Sequence, residues 1–191
     1  MEYYGFHFKG YVSIEELITL FRIDFNENSK KSGDVHNFPE IIFIEKGEHQ
    51  MFVNGREYKL LPGDLFMYAP NSYHAVNRSS AEALIISFRT NSVSISDCYN
   101  RVLHLTEGEA LSFLDLWSEG NVMFERVNDG KNVRFSPKKR VTEYETAIFK
   151  KKFETFLLTL IVRYGNKKKE SGETSEIKEF LENNIYHTFF S

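Results

Sequence analysis

The stretch "LPGDLFMYAPNSYHAV", residues 61–76, decides the fold. Pro62 fixes the backbone angle φ, and Gly63 is free to adopt the left-handed region, so this pair predicts a tight turn. The apolar run "LFMY" follows and ends at a second proline, Pro70. His74 comes four residues after that proline. The order predicts a short buried strand, a break at the rim of a sheet, and a histidine at the start of the next strand.

The composition predicts one globular core with at most a small appendage. The chain has 191 residues, of which 41% are apolar and 27% are charged. This balance is typical of folded proteins and not of disordered ones. The 18 Phe and 10 Tyr residues favour a β-rich core, because aromatic side chains suit pleated surfaces. The net charge of −3 argues against a nucleic-acid-binding surface spread over this chain.

The single cysteine, Cys98, excludes an internal disulfide framework and any zinc site with several cysteines. It predicts an inert thiol in a reducing compartment. The N-terminal "MEYYGFHFKG" has no apolar segment of signal-peptide length, and no apolar run is long enough to span a bilayer. We therefore expect a cytoplasmic protein that is not inserted in a membrane.

Residues 36–89 predict strands. Short runs rich in Ile, Phe, Val and Tyr are separated by Gly, Pro and Asn at intervals typical of a sandwich or barrel. Asn54-Gly55, between "HQMFV" and "REYKL", predicts a type I′ hairpin turn, because both residues tolerate positive φ. Upstream, "SIEEL" at 13–17 is compatible with a short helix, whereas "LFRIDF" at 20–25 indicates an extended segment.

The sequence after Arg89 predicts two helices. Thr106 and Glu109 form a capping box before a first helix. Residues 119–140 are polar and indicate a connection. A second helix is expected from about Thr142 to Gly165, because apolar residues recur there at helical spacing. This stripe consists of Phe149, Phe153, Phe156, Leu157, Leu160, Ile161 and Tyr164.

The C-terminal residues predict a linker and one more helix. Residues 166–175 are charged or small, as in a linker. Residues 176–191 place Ile177, Phe180, Leu181 and Ile185 on one face of a short helix. An amphipathic helix beyond a linker has no evident surface to pack on. We expect it to open a further domain, of which this chain holds only the beginning.

Together these parts resemble the N-terminal effector domain of AraC/XylS-family transcription regulators. The resemblance rests on His36, Glu40, "IIFIEKG", "NG", "LPGD", "LFMYAP" and His74, in that order. It implies a mainly β fold, a cupin-like double-stranded β-helix (jelly-roll) barrel, followed by two packed helices and a short terminal helix. The implied domains are an effector-binding barrel at 1–100, a helical dimerisation region at 101–165, a linker at 166–175, and at 176–191 the first helix of a truncated helix-turn-helix domain.

The resemblance also implies partners and sites. A small effector, such as a sugar or another metabolite, would bind in the barrel, and DNA would be bound only by the missing C-terminal domain. The expected effector-binding residues are His36, Phe38, Glu40, Ile42, Tyr68 and His74. The two helices are expected to form a homodimer, with Phe153, Leu157, Leu160, Ile161 and Tyr164 at its interface. The alternative for the same stripe is core packing against the barrel, and both roles can hold if one side of the helix faces the barrel and the other a partner. The aromatic residues 1–12 are a candidate effector-responsive arm.

A metal is the alternative occupant of the barrel. Cupin enzymes hold a divalent metal with a pattern resembling His-x-His-x(3 or 4)-Glu and a later His, and here Asp34 stands at the first histidine position. On an unbroken strand, positions 34, 36 and 40 would share the inward face. Because the first imidazole is missing, we favour a site without metal or other cofactor. If a metal binds, its expected ligands are His36, Glu40 and His74.

Two other functions compete with a regulator domain. One is a stand-alone metal-dependent cupin enzyme, an isomerase or dioxygenase. The missing first histidine and the helical tail argue against it. The other is a structural cupin without a ligand. The regulator domain, with no enzymatic activity, is the preferred interpretation.

Overall fold

Two antiparallel β-sheets pack face to face in the computed structural model, which describes residue 6 and residues 9–25, 33–128 and 133–165. The strands of these sheets are β1 (Ile14–Asp24), β2 (Glu40–Lys46), β3 (His49–Val53), β4 (Arg56–Leu60), β5 (Asp64–Tyr68), β6 (His74–Ser79), β7 (Glu82–Thr90) and β8 (Val102–His104). One sheet has the order β1-β7-β2-β5-β8 and the other the order β4-β3-β6. The predicted double-stranded β-helix is confirmed. The linker 166–175, the helix 176–191 and most of the arm 1–12 lie outside the described residues.

The central strands β2, β5 and β7 of the five-stranded sheet are buried on both faces. Along β2, Ile42 and Ile44 face the barrel interior, whereas Ile41 and Phe43 face the helices on the outside. In β5, Phe66 and Tyr68 face inward and Met67 faces outward. A strand covered on both sides gains nothing from polar residues, which is why "LFMY" shows no alternation.

The two predicted turns form as expected. Asn54 has a φ of 48° and Gly55 a φ of 80°, the two positive values of a type I′ turn. Gly63 has a φ of 88°. The Asp64 carboxylate accepts the Leu61 N–H at 2.8 Å and pairs with Nδ1 of His104 at 2.6 Å. Asp64 therefore closes the turn and ties it to β8.

The structure refines three sequence-based expectations. "SIEEL", whose sequence is also compatible with a short helix, is extended: from Ile14 onward it lies in β1, which pairs with β7. The barrel extends past residue 100, because β8 pairs with β5. Residues 119–140 are not a plain connection. They contain the end of helix α1 (Glu107–Met123) and a hairpin of β9 (Phe124–Asn128) and β10 (Val133–Pro137).

Both predicted helices are present and start at capping boxes. Thr106 and Glu109 cap α1, and Thr142 and Glu145 cap α2 (Glu143–Tyr164) in the same reciprocal way. The backbone leaves the helical conformation at Gly165. None of the helices in the described ranges has the length and hydropathy needed to cross a bilayer.

The apolar stripe of α2 packs against the barrel, which is the core role considered for it in the sequence analysis. Phe153, Leu157, Leu160 and Ile161 are each at most 4% exposed within a single chain, and Tyr164 is half-buried beside them. They share one core with the outer face of the five-stranded sheet. Side chains already buried in this way cannot also contact a second chain, so any dimer must use another face of the helices.

Candidate functional site

Two histidines and a glutamate meet at one end of the barrel. His36 lies in the loop before β2, Glu40 begins β2, and His74 begins β6. The loop is tied to β6 by two backbone hydrogen bonds between Asp34 and His74, of 2.8 and 3.0 Å. The Asn71 N–H also donates to the carbonyl of His36 at 2.7 Å. These bonds hold the loop where His36 faces His74.

The three side chains are close but do not form direct hydrogen bonds with one another. Nε2 of His36 lies 3.8 Å from one Glu40 oxygen, and Nε2 of His74 lies 3.9 Å from the other. One nitrogen or oxygen from each residue can be chosen so that all three lie within 4.8 Å of one another. The side chains are 11%, 18% and 13% exposed for His36, Glu40 and His74. The site is thus largely buried but open at the rim.

Each imidazole is held by a backbone carbonyl and by an aromatic ring. Nδ1 of His36 lies 2.8 Å from the Phe38 carbonyl, and Nδ1 of His74 lies 3.1 Å from the Ser72 carbonyl. Phe38 stacks on His36 with ring centroids 4.3 Å apart, and Tyr68 stacks on His74 at 4.2 Å. Both rings are therefore oriented before any ligand arrives.

A chain of two hydroxyl groups also holds Glu40. The Ser87 hydroxyl donates to Glu40 Oε2 at 2.7 Å, and the Thr19 hydroxyl lies 2.7 Å from Ser87 Oγ. Because Ser87 uses its hydrogen on the carboxylate, Thr19 must donate to Ser87. The three residues are cross-strand neighbours on β1, β7 and β2. Ser87 has no exposed surface.

The Tyr68 hydroxyl is turned away from the carboxylate. It donates to the sulfur of Met51 at 2.8 Å. Burial, and secondarily the negative charge of Glu40, raise the pKa of Tyr68 far above its usual range, so the hydroxyl stays neutral. Tyr68 contributes a ring face to the site, and its polar group belongs to the apolar interior.

The predicted effector residues divide into two groups. His36, Glu40, His74, Phe38 and Tyr68 come together, whereas Ile42 lies in the apolar interior of the barrel. Asp34 does not join them: it is exposed, and its carboxylate accepts the N–H of Val35 at 2.7 Å. The expectation that positions 34, 36 and 40 share one strand face was wrong, because β2 starts only at Glu40.

Sequence reasoning missed Ser87 and Thr19, the residues that orient Glu40. Ser87 could have been identified from the sequence, because it is the only hydroxyl residue within the apolar run "ALIISF". A polar side chain in a buried strand must have a partner. Thr19 gave no such signal, because it lies in a segment of mixed polarity.

Similarity to solved structures is low. KdgF from Halomonas sp. is 19% identical, with 42% of this chain and 77% of that chain covered and a TM-score of 0.33. A cupin protein from Bacteroides fragilis is 18% identical, with 42% and 71% covered and a TM-score of 0.35. An RmlC-like cupin family protein from Methanocaldococcus jannaschii is 14% identical, with 46% and 90% covered and a TM-score of 0.35. No match was found among curated proteins.

A family model gives the firmer relationship. The model described as AraC-like ligand binding domain matches residues 18–118, more than half of the chain. The matched range contains the whole polar site, from Thr19 to Ser87, and most of α1. The chain belongs to the AraC-like ligand-binding domain family.

Proposed function

We propose that this chain is the ligand-sensing part of a cytoplasmic transcription regulator. A small polar effector, a sugar or another metabolite, binds at His36, Glu40 and His74. The observation that carries the proposal is the position of these groups: they lie at a rim, inside the matched family range, and remain partly exposed. Partly buried polar groups beside an apolar interior favour a ligand that satisfies them.

In this proposal the effector acts on the helices through the strands that surround the site. The hydroxyl chain reaches β1, and β1 also contacts α1 and α2. A ligand that binds one arrangement of these elements better than another shifts the population towards it. In this proposal the shift changes how DNA-binding domains are presented. Residues 176–191, which the sequence predicts to be the first helix of such a domain, lie outside the described residues.

We further propose a homodimer through the outer face of the two helices. Here α1 and α2 leave a groove, with Tyr144 and Ile148 on one side and Val122 at one end. These three side chains are 84%, 54% and 54% exposed. The Lys152–Glu119 ion pair crosses between the helices at 2.7 Å. A second copy would cover apolar surface that a single chain leaves in water.

A ligand screen by thermal unfolding tests the sensing function. A true effector should raise the midpoint of the wild-type chain, since binding to the folded state alone stabilises it. The increase should disappear in His74→Ala and persist in His104→Ala. His104 is a matched control, because it also pairs with a carboxylate but lies at the surface. Equal stabilisation of both variants by every hit would contradict binding at this site.

The same His-Glu-His group also favours a second function, a metal-dependent cupin enzyme. Imidazole and carboxylate ligands suit divalent metals that polarise or oxidise small substrates. Turnover distinguishes the two functions. A regulator domain returns its ligand unchanged after prolonged incubation with metal, whereas an enzyme converts it. Conversion that His74→Ala abolishes would replace the regulator proposal.

A further inference from the structure

The loop between β5 and β6, residues 69–73, holds one histidine of the site. Ser72 in this loop is 4% exposed, and its carbonyl oxygen lies 3.1 Å from Nδ1 of His74. A carbonyl oxygen can only accept, so His74 donates this bond. The position of Ser72 therefore sets how the His74 ring is turned, and a change at His74 acts first on this loop.

Asn100, two residues before β8, holds the loop in place. Its side-chain oxygen accepts the Ala69 N–H at 3.1 Å, and its side-chain N–H donates to the Ser72 hydroxyl at 3.0 Å. Its backbone N–H donates to the Met67 carbonyl at 2.8 Å. The φ of Asn100 is 51°, a left-handed value that asparagine tolerates better than most residues. Asn100 thus joins β5 and the loop that follows it to the start of β8.

The next residue, Arg101, binds the end of α2. Its guanidinium donates to the Tyr164 carbonyl at 2.7 Å and to the Asp97 carbonyl at 3.0 Å. The last carbonyls of a helix have no partner within the helix and lie at the negative end of its dipole, so a cation there is favourable. Arg101 therefore caps α2 from a different part of the chain.

The far end of β8 contacts the same helix terminus. The Tyr164 hydroxyl donates to the carbonyl of His104, the last residue of β8. This strand has three residues and lies at the edge of its sheet, so few backbone hydrogen bonds resist its displacement. The backbone leaves the helical conformation at Gly165, and residues 166–191 follow in the sequence. Residues 100–104 thus extend from the loop of the site to the point where the chain leaves α2.

We propose that Asn100 and Arg101 couple the site to the end of α2. Asn100 is a positioning residue for His74 and acts through Ser72, whereas Arg101 positions the last turn of α2 through the Tyr164 carbonyl. The two residues are consecutive, so their Cα atoms stay about 3.8 Å apart and a displacement of one displaces the other. The inference rests on the proposed function for its stimulus, an effector at His74, and adds a route to α2 that is separate from the hydroxyl chain to β1.

Amide hydrogen exchange, measured by NMR on the chain without any ligand, tests the coupling. His74→Ala removes the imidazole that donates to Ser72 and serves as the perturbation. The backbone amides of residues 162–165 should then exchange roughly 2- to 30-fold faster, the range expected for coupling through a contiguous network. Asn100→Gly removes the side chain but still permits the left-handed backbone, and in this variant His74→Ala should cause no further change. If the two positions were merely structural, their effects would be additive.

Asn77→Ala is the matched control. Asn77 also lies on β6 and donates a side-chain hydrogen bond at 3.0 Å, but to Glu57 on β4 at the exposed surface. In this background His74→Ala should accelerate exchange as it does in the wild type. Ser72→Ala, which loses only a hydroxyl, replaces Asn100→Gly if circular dichroism shows that the glycine variant is not folded.

Two results would overturn the coupling. One is exchange at residues 162–165 that His74→Ala leaves unchanged. The other is acceleration that persists in full when Asn100→Gly or Ser72→Ala is already present. Because no effector is used, either result removes this route and leaves effector binding to its own thermal test.

Discussion

Glu40 and His74 belong to different sheets of the barrel, yet a Glu40 oxygen lies 3.9 Å from Nε2 of His74. The pair therefore joins the five-stranded and the three-stranded sheet at the mouth. Anything bound between them also bridges the two sheets. Because a ligand at this position would bridge both sheets, its binding is expected to raise the free energy of unfolding of the whole domain.

His74→Ala should weaken the effector response while the domain stays folded. Loss of one polar contact to a buried ligand costs about 1–3 kcal/mol of binding free energy. If the chain is part of the proposed regulator, the dose–response curve of a reporter promoter should shift to higher effector concentration, with unliganded behaviour little changed. An unchanged curve in this variant would remove His74 from the effector site.

Ile148→Glu should dissociate the proposed homodimer without unfolding the chain. Ile148 is 54% exposed on the outer helix face, so a charge there is tolerated in the monomer but not in an apolar interface. Sedimentation velocity should show a monomer for this variant and a dimer for the wild type. A dimer that survives Ile148→Glu would mean that the contact lies elsewhere.

Leu157→Glu provides the contrast on the same helix. Leu157 has no exposed surface and packs in the core between helix and sheet. A buried unpaired charge is strongly destabilising. We expect loss of cooperative thermal unfolding. A folded, monomeric Leu157→Glu chain would instead support the original assignment of this residue to the dimer interface.

Acid should destabilise the domain through His49. Burial lowers the pKa of His49 to about 4, from an ordinary value of 6.5. Below pH 6.5 the unfolded chain binds a proton at His49 that the folded chain does not. The free energy of unfolding therefore falls between about pH 6.5 and pH 4, by at most about 3 kcal/mol from this residue.

Urea unfolding at several pH values measures this effect against His49→Gln, which cannot titrate. The wild type should lose more stability than the variant between neutral and acid pH. His49 is 1% exposed, and its Nδ1 lies 2.9 Å from the Ser79 hydroxyl, a contact that glutamine can partly replace. If the free energy of unfolding fell equally with pH in the wild type and in His49→Gln, His49 would not be the cause of the acid destabilisation.

Cys98 should be unreactive in the folded chain. Its side chain is buried, and burial, more than the nearby Asp97 charge, raises the pKa of the thiol to about 12. Little thiolate exists at neutral pH, and thiolate is the reactive form. A chromogenic disulfide should modify Cys98 only after denaturant is added. Rapid modification of the native chain would contradict the buried position.

This chain alone should not bind DNA tightly. Its net charge is −3, and no complete recognition helix was identified in its sequence. A gel-shift assay with the target promoter should show no salt-sensitive, sequence-specific complex. Such a complex would place DNA recognition within these residues.

Local chemistry predicted many of the elements. Asn54-Gly55 and Gly63 tolerate the positive φ values that their turns need, and the Thr106 capping box marks a helix start without reference to the rest of the chain. Predictions failed where local preference was weak. "SIEEL" became part of β1 because pairing with β7 outweighed its ambiguous propensity. The β9–β10 hairpin is a different case, because Asp129-Gly130, a dipeptide typical of hairpin turns, lies between the two strands in the sequence, and the interpretation of residues 119–140 as a polar connection overlooked it.

The sequence by itself determined the turns, the strand-rich half, the two helices and the residue types of the site. These depend on backbone sterics and on periodicity, which act over a few residues. The tertiary structure alone decided which side chains of α2 are buried, where Asp34 points, and how His36, Glu40 and His74 meet. Those outcomes depend on the packing of two sheets and on hydrogen bonds such as those between Asp34 and His74. Such contacts join residues far apart in the chain, and no local pattern encodes their distances.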